Sequence, residues 1–167
     1  MRKMTENALQ DAFAGESQAH MKYLIFSDVA EREGFPNLAR LWKAIAYAEQ
    51  VHATNHARNL GYIKKTVDNL QTGIDGETFE VEEMYPAYDA IATLQGEEGA
   101  EKSILYAVEA EKIHAEMYAN AKKEAVKGKD IEINEVYICP VCGFTHIGDP
   151  PENCPVCNVP STKFKKF

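Results

Sequence analysis

The chain has 167 residues, enough for one ordinary domain or one domain plus a small module, and its 45% apolar content supplies a real core rather than wholesale disorder. A formal net charge of -8 argues against a nucleic-acid backbone or an anionic membrane surface as the main partner, and the basic end "KFKKF" is too short to reverse this. The first residues, "MRKMTENALQDAFAGES", carry no continuous apolar run, and no segment approaches the ~18 apolar residues of a membrane span. The expected location is the cytoplasm.

Residues 5 to 33 read as one helix, with Leu9, Ala12, Phe13, Glu16, Ala19, Tyr23, Phe26 and Ala30 recurring every three or four positions. "EGFPN" (33 to 37) breaks it. A second helix over 37 to 60 carries Leu38, Trp42, Ile45, Glu49, His52 and His56, and Gly61 is a plausible stop. Residues 62 to 75 read as a longer connection, with Gly73 and Gly76 near its end. A third helix over 76 to 95 carries Glu77, Glu80, Met84, Ala87, Ile91 and Leu94; "QGEEG" is the next turn. A fourth over 100 to 127 carries Ile104, Ala107, Glu111, His114, Tyr118 and Ala121. "IEINEVYI" (131 to 138) alternates apolar and polar residues and predicts a strand.

This pattern predicts two helical hairpins and then a small module: a helical domain over 1–130 and a cysteine module over 131–167. The hairpins are also an internal duplication. "GESQAHMKY" (15 to 23) resembles "GETFEVEEMY" (76 to 85), and Glu49-x-x-His52 matches Glu111-x-x-His114. Glu16 and Glu77 are 61 residues apart, whereas Glu49 and Glu111 are 62 apart.

In an antiparallel hairpin, residues equidistant from the turn lie at one height. Glu16 and Glu49 flank the 33–37 break evenly, and Glu77 and Glu111 do the same around 95–99. Packing the hairpins into a four-helix bundle therefore points four carboxylates and two imidazoles at one interior level. Buried unpaired carboxylates cost several kcal/mol each, and no Lys or Arg lies on those stripe positions. A metal pair solves this: one Glu from each of two helices plus Glu-x-x-His from each of the other two is the carboxylate di-metal arrangement of bundle cores. A lone stripe histidine is ordinarily a hydrogen-bonded core group, and His20 and His56 fall in that class. Glu80 lies one helical turn after Glu77 on the same face, which suggests an alternative ligand beyond the symmetrical six; Glu82 and Glu83 point off the stripe. Tyr23 and Tyr85 are one to two turns from the ligands, within hydrogen-bonding reach of them or simply core aromatics.

All four cysteines lie near the end, in "CPVCGF" (139 to 144) and "CPVCNV" (154 to 159). Two Cys-x-x-Cys knuckles make a tetrahedral site of Cys139, Cys142, Cys154 and Cys157. Gly143 and Asn158 follow each knuckle where a positive φ is needed. Four thiolates favour zinc or iron. A structural zinc ribbon is one outcome; a neighbouring metal pair that changes oxidation state favours a one-iron electron donor.

With both parts in view the chain resembles a rubrerythrin along essentially its whole length. The residues that carry the likeness are "AFAGES", "AYAEQVHATNH", "GETFEVEEMYPAY", "EAEKIHAE" and "YICPVCGF…ENCPVCNVP". The resemblance implies a mainly α fold, a ferritin-like four-helix bundle followed by a small rubredoxin-like domain. It implies a di-iron centre with Glu49 and Glu111 bridging, Glu16 terminal on one iron, and Glu77 with His114 on the other. The Glu16 iron would switch between Glu80 when oxidised and His52 when reduced, with Tyr23 and Tyr85 hydrogen-bonded to ligand carboxylates. The four cysteines would hold one further iron. The implied activity is reduction of hydrogen peroxide, with electrons from rubredoxin or an NAD(P)H-dependent reductase, and the implied assembly is a homodimer. A ferroxidase or iron-storage protein is the alternative the shared bundle allows, and a zinc-stabilised binding module is a third. The 62–75 connection also leaves room for hairpins exchanged between two chains.

Overall fold

The computed structural model describes residues 1–167, which divide into two compact units, Met1–Lys64 and Lys65–Phe167. The first unit is a helical hairpin of α1 (Lys3–Arg32) and α2 (Pro36–Leu60). The second contains α3 (Thr66–Phe79), a π-helical turn at Glu80–Met84, α4 (Tyr85–Gln95) and α5 (Glu98–Val126). A small sheet follows, with β1 (Val136–Ile138), β2 (Thr145–Ile147) and β3 (Lys165–Lys166) in the order β2-β1-β3, all antiparallel.

Four helices stop in the same way. Gly34, Gly61, Gly96 and Gly128 all have left-handed φ. The residue after each returns a backbone N–H to a carbonyl five positions back, as in Phe35 to Ala30 at 2.8 Å and Glu97 to Ala92 at 3.0 Å. This is the Schellman ending, and only glycine adopts it without strain. Pro36 then starts α2, where its missing N–H costs nothing.

The first hairpin closes on small residues. Ala39, Ala46 and Ala53 recur every seven positions on α2 and are buried, Ala46 completely. Alanine there lets the helices approach closely enough for Ser27 Oγ to donate to the Ala39 carbonyl at 2.9 Å. Tyr23 and Phe26 pack on Trp42, with centroids 4.9 and 5.3 Å away. Because the seam is made of alanines, the large side chains point elsewhere: Leu38, Leu41 and Ile45 stay 50%, 55% and 37% exposed.

Three expectations need correction. Residues 62–75 are mostly not a connection: α3 already begins at Thr66. Gly73, placed from sequence near the end of that connection, is helical and sits against the Tyr118 ring, where an added Cβ would lie 3.1 Å from a ring carbon. Glycine is there for close packing with α5, not for a turn. The expected single helix over 76–95 is in fact the end of α3, the π turn and α4. The expected strand over 131–138 shrinks to Val136–Ile138.

The π turn explains the unequal offsets of the duplication. A π turn holds one more residue than an α turn. Glu16 and Glu77 are 61 apart, but Tyr23 and Tyr85 are 62 apart, as are Gly34 and Gly96. The extra residue therefore falls between 77 and 85, where Glu80–Met84 bulges. Every later residue of the second hairpin keeps the frame of the first.

Gly34→Ala should cost about 1 kcal/mol, because φ is +83° and a Cβ is strained there. Thermal unfolding checks this: a lower midpoint with an unchanged helical spectrum is expected.

Candidate metal centres

Three clusters of potential ligands form. Glu16, Glu49 and His52 bring one ligand atom each to within 4.8 Å of one another; so do Glu77, Glu111 and His114, and so do the four cysteines. The first cluster lies in the α1–α2 hairpin and the second in the Lys65–Phe167 unit.

In the first cluster His52 Nδ1 is 2.9 Å from Glu49 and 3.9 Å from Glu16. The three-residue spacing puts Glu49 and His52 on one face of α2, and Glu16 meets them from α1. His52 remains 53% exposed. His20 behaves as a structural histidine, with Nδ1 2.7 Å from the Ala46 carbonyl.

The second cluster is more enclosed. His114 Nδ1 is 2.6 Å from Glu111, and His114 Nε2 is 2.8 Å from Thr145 Oγ1. Glu77 is pushed up to about 7, first by burial, then by a hydrogen bond and like charge from Glu111 and by the charge of Glu80. Two carboxylates sharing one proton are what a cation would separate and ionise. Glu80 is also raised, by burial and by Glu111, with His114 opposing. It stands in the field of this cluster but outside the close three-ligand group. Burial and then the charges of Glu80, Glu111 and Glu77 raise the Tyr85 hydroxyl, so its side chain faces the same carboxylates. Tyr23 is in the aromatic layer against Trp42. Glu82 and Glu83 are exposed.

The cysteines form the densest group. Cys139 Sγ lies 3.5 Å from Cys157 Sγ, and Cys142 Sγ lies 3.4 Å from Cys154 Sγ. Four sulfurs about 2.3 Å from one ion would be a little under 4 Å apart, so the spacing suits a tetrahedral ion. Gly143 and Asn158 have φ of 79° and 61°, as the knuckles require. Burial raises the Cys142 thiol. Cys154 is buried too, yet backbone N–H groups of Cys157 and Val156 bring it below the ordinary thiol range. Phe144 and Val159 direct backbone N–H groups at Cys142 and Cys157. These N–H···S bonds stabilise thiolate charge and tune a bound iron. Tyr106 and Ile113 of α5 pack against the core formed by Cys139, Cys142, Phe144 and Cys154.

The comparisons agree with this inventory. The rubrerythrin family model matches residues 7–122, and the model for the rubredoxin-like domain of rubrerythrin matches 137–165. The chain belongs to the rubrerythrin family. It is 46% identical to rubrerythrin-2 of Clostridium acetobutylicum, over 98% of this chain and 97% of that protein. It is 35% identical to nigerythrin of Nitratidesulfovibrio vulgaris, over 95% of this chain and 84% of that one. The solved structure of fully reduced, all-ferrous nigerythrin superposes with a TM-score of 0.58 at 30% identity, over 98% of this chain and 86% of that one. The fold class is thus a ferritin-like helical bundle followed by a rubredoxin-like domain. Its cofactors are a di-iron centre served by the Glu/His groups and one iron held by four cysteines.

Two features escaped the sequence. The π turn left a signal, the one-residue change in offset, that could have located it. Thr145 left none, because its contact with His114 joins residues 31 positions apart.

The raised Glu77 carboxyl sets the pH dependence of the metal-free protein. Its folded value of about 7 lies above the ordinary carboxyl value of 4.5, so the folded state binds the proton more tightly. That stability is present below pH ~4.5 and is lost as pH rises through about 7. The melting temperature of metal-free protein should therefore fall between these limits. Glu77→Gln should flatten the dependence; an unchanged profile would show that Glu77 does not carry it.

Proposed function

We propose that the protein is a peroxidase that reduces hydrogen peroxide to water (H2O2 + 2 e⁻ + 2 H⁺ → 2 H2O) and protects against oxidative stress. The observation that carries this reading is the pairing of one Glu/His cluster with a four-thiolate site in a single compact unit. Storage of iron needs no thiolate site; a redox reaction supplied one electron at a time does.

When bound, the iron pair supplies two electrons, one from each metal, and Lewis-acid polarisation of the oxygen–oxygen bond. The chain's own residues hold and adjust that pair. Glu49 and Glu111 would be the ligands common to the pair, Glu16 would hold one iron, and Glu77 with His114 would hold the other. Glu80 and His52 would be the alternative ligands of the Glu16 iron. Glu80 suits an exchangeable role because it feels Glu111 and His114 while standing outside the close group. Tyr85 keeps its proton in this acidic field and offers a hydroxyl donor to the carboxylates around it; Tyr23 is assigned the matching role in the first hairpin. Cys139, Cys142, Cys154 and Cys157 hold the iron that relays electrons from a rubredoxin or from NAD(P)H through an external reductase. By function the chain divides into a di-iron domain, 1–130, and a relay domain, 131–167. Four free cysteines clustered as ligands fit a reducing compartment such as the cytoplasm. No helix is long and apolar enough to cross a membrane.

The iron-loaded protein is reduced anaerobically and mixed with stoichiometric peroxide or with oxygen, while the ferric-thiolate absorbance is followed. Fast reoxidation by peroxide and slow reoxidation by oxygen is expected. Glu80→Ala should slow the peroxide phase while keeping its iron. Faster reaction with oxygen and growth of a mineral core would overturn the peroxidase in favour of a ferroxidase.

The working assembly is a homodimer, with exchange of hairpins as its extreme form. Large apolar side chains are exposed on α2, Leu38 and Leu41, and on α4, Ile91 and Leu94, and a second copy would cover such surface. Light scattering on iron-loaded protein should give twice the chain mass; a monomer at micromolar concentration would refute this.

A further inference from the structure

We propose that Tyr23 and Trp42 form a two-ring redox relay in the first hairpin, which supplies one electron when peroxide meets an iron pair that holds only one. The inference rests on the peroxidase reading for its oxidant and on the hairpin's own geometry for its route.

Trp42 is the only tryptophan of the chain. Tyr23 lies seven residues after Glu16, and Trp42 lies seven before Glu49. In an antiparallel hairpin the two rings therefore make one layer, two helical turns or about 10 Å along the axis from the ligand layer. The rings are in contact, with centroids 4.9 Å apart and planes inclined at 42°. Long helical side chains lean toward the N-terminus of their own helix. Tyr23 on α1 thus leans toward Glu16, whereas Trp42 on α2 leans toward the turn between the helices, away from Glu49. The indole continues that way to the Phe26 ring, 5.3 Å from it and 42% exposed. From the ligand layer outward the order is Tyr23, Trp42, Phe26 and solvent. The second hairpin shows that packing alone does not call for an indole. At an offset of 62 residues Tyr23 corresponds to Tyr85 and Phe26 to Tyr88, but Trp42 corresponds to Ile104. The Tyr85 and Tyr88 rings pack together without it, with centroids 6.4 Å apart.

Reduction of peroxide needs two electrons and two protons. Where the iron pair holds one electron, peroxide takes that electron and takes a second, with its proton, from the Tyr23 phenol. The other proton comes from solvent, the oxygen–oxygen bond breaks, and two waters form. The Tyr23 phenoxyl then recovers an electron and a proton from the indole N–H of Trp42. The net step is H2O2 + e⁻ + H⁺ + RNH → 2 H2O + RN•, with RNH the Trp42 indole. The oxidised ring is then the one that leans away from the ligands toward the exposed Phe26, where an external one-electron donor restores it.

The test uses Tyr23→Phe and Trp42→Phe, each of which keeps a ring in the layer and removes the oxidisable group. Full-length protein carries redox-silent zinc at the four cysteines and iron at the Glu/His sites, and is reduced by one electron per chain. It is mixed with one equivalent of peroxide and frozen. Electron paramagnetic resonance of wild type should show an organic radical whose line shape responds to ring-deuterated tyrosine or tryptophan. The radical should sit on tryptophan alone in Y23F and on tyrosine alone in W42F, and should be lost in the double variant at unchanged iron content. No radical in wild type would overturn the proposal. So would a radical that survives in the double variant, since Tyr85, Tyr88 or another ring would then carry it. Where the double variant loads no iron, the single variants decide, and a line shape and label response unchanged from wild type in both overturns the relay. Fully reduced wild type is mixed with peroxide in parallel. Peroxide consumed there, with no radical in the singly reduced protein, sinks the relay alone; peroxide left unconsumed sinks the peroxidase reading and the relay together.

Discussion

Carboxylates on the inward stripes of helices dictate most of what this molecule is. Glu16, Glu49, Glu77 and Glu111 occupy positions where a soluble bundle would ordinarily place leucine or alanine. Without a cation, burial first, and then the neighbouring Glu111 and Glu80, push the Glu77 carboxyl up to about 7. With one, the same charges become ligands, and binding free energy offsets the burial cost. The metal is in this sense a part of the core, and the packing around it is arranged accordingly: small alanines where helices must approach, larger side chains kept off the seam.

The one-residue bulge between Glu77 and Tyr85 shows how a duplicated frame acquires asymmetry. A π turn inserts a residue without resetting the helix beyond it. Tyr85, Glu111 and His114 therefore stay in register with Tyr23, Glu49 and His52, while Glu80 has no acidic counterpart, since the first hairpin has Ala19 three residues after Glu16. One half of the ligand set thus gains a spare carboxylate that the other lacks. Two chemically equal halves have become unequal through a single residue.

The rubredoxin-like domain adds a second constraint. Its cysteine core is too small to stand alone and borrows Tyr106 and Ile113 from α5. That sharing places the knuckle next to a ligand of the other site. The same stripe of α5 packs the cysteine core and leads into His114.

The sequence by itself determined the two hairpins, the six symmetrical ligand types and the four-cysteine site. These follow from short-range rules: helical periodicity, Gly-Pro punctuation, Glu-x-x-His and Cys-x-x-Cys spacing, each confined to a few consecutive residues. Gly61 as a helix stop and Gly143 as a left-handed position were legible for the same reason. What only the tertiary structure decided depends on contacts between distant segments. Gly73 is a helical residue because Tyr118 lies across it, although locally it looks like a breaker. The start of α3 at Thr66 follows from that packing. The contact of His114 Nε2 with Thr145 Oγ1 joins α5 to a strand 31 residues away, and a hydrogen bond between such segments leaves no periodic trace in the chain.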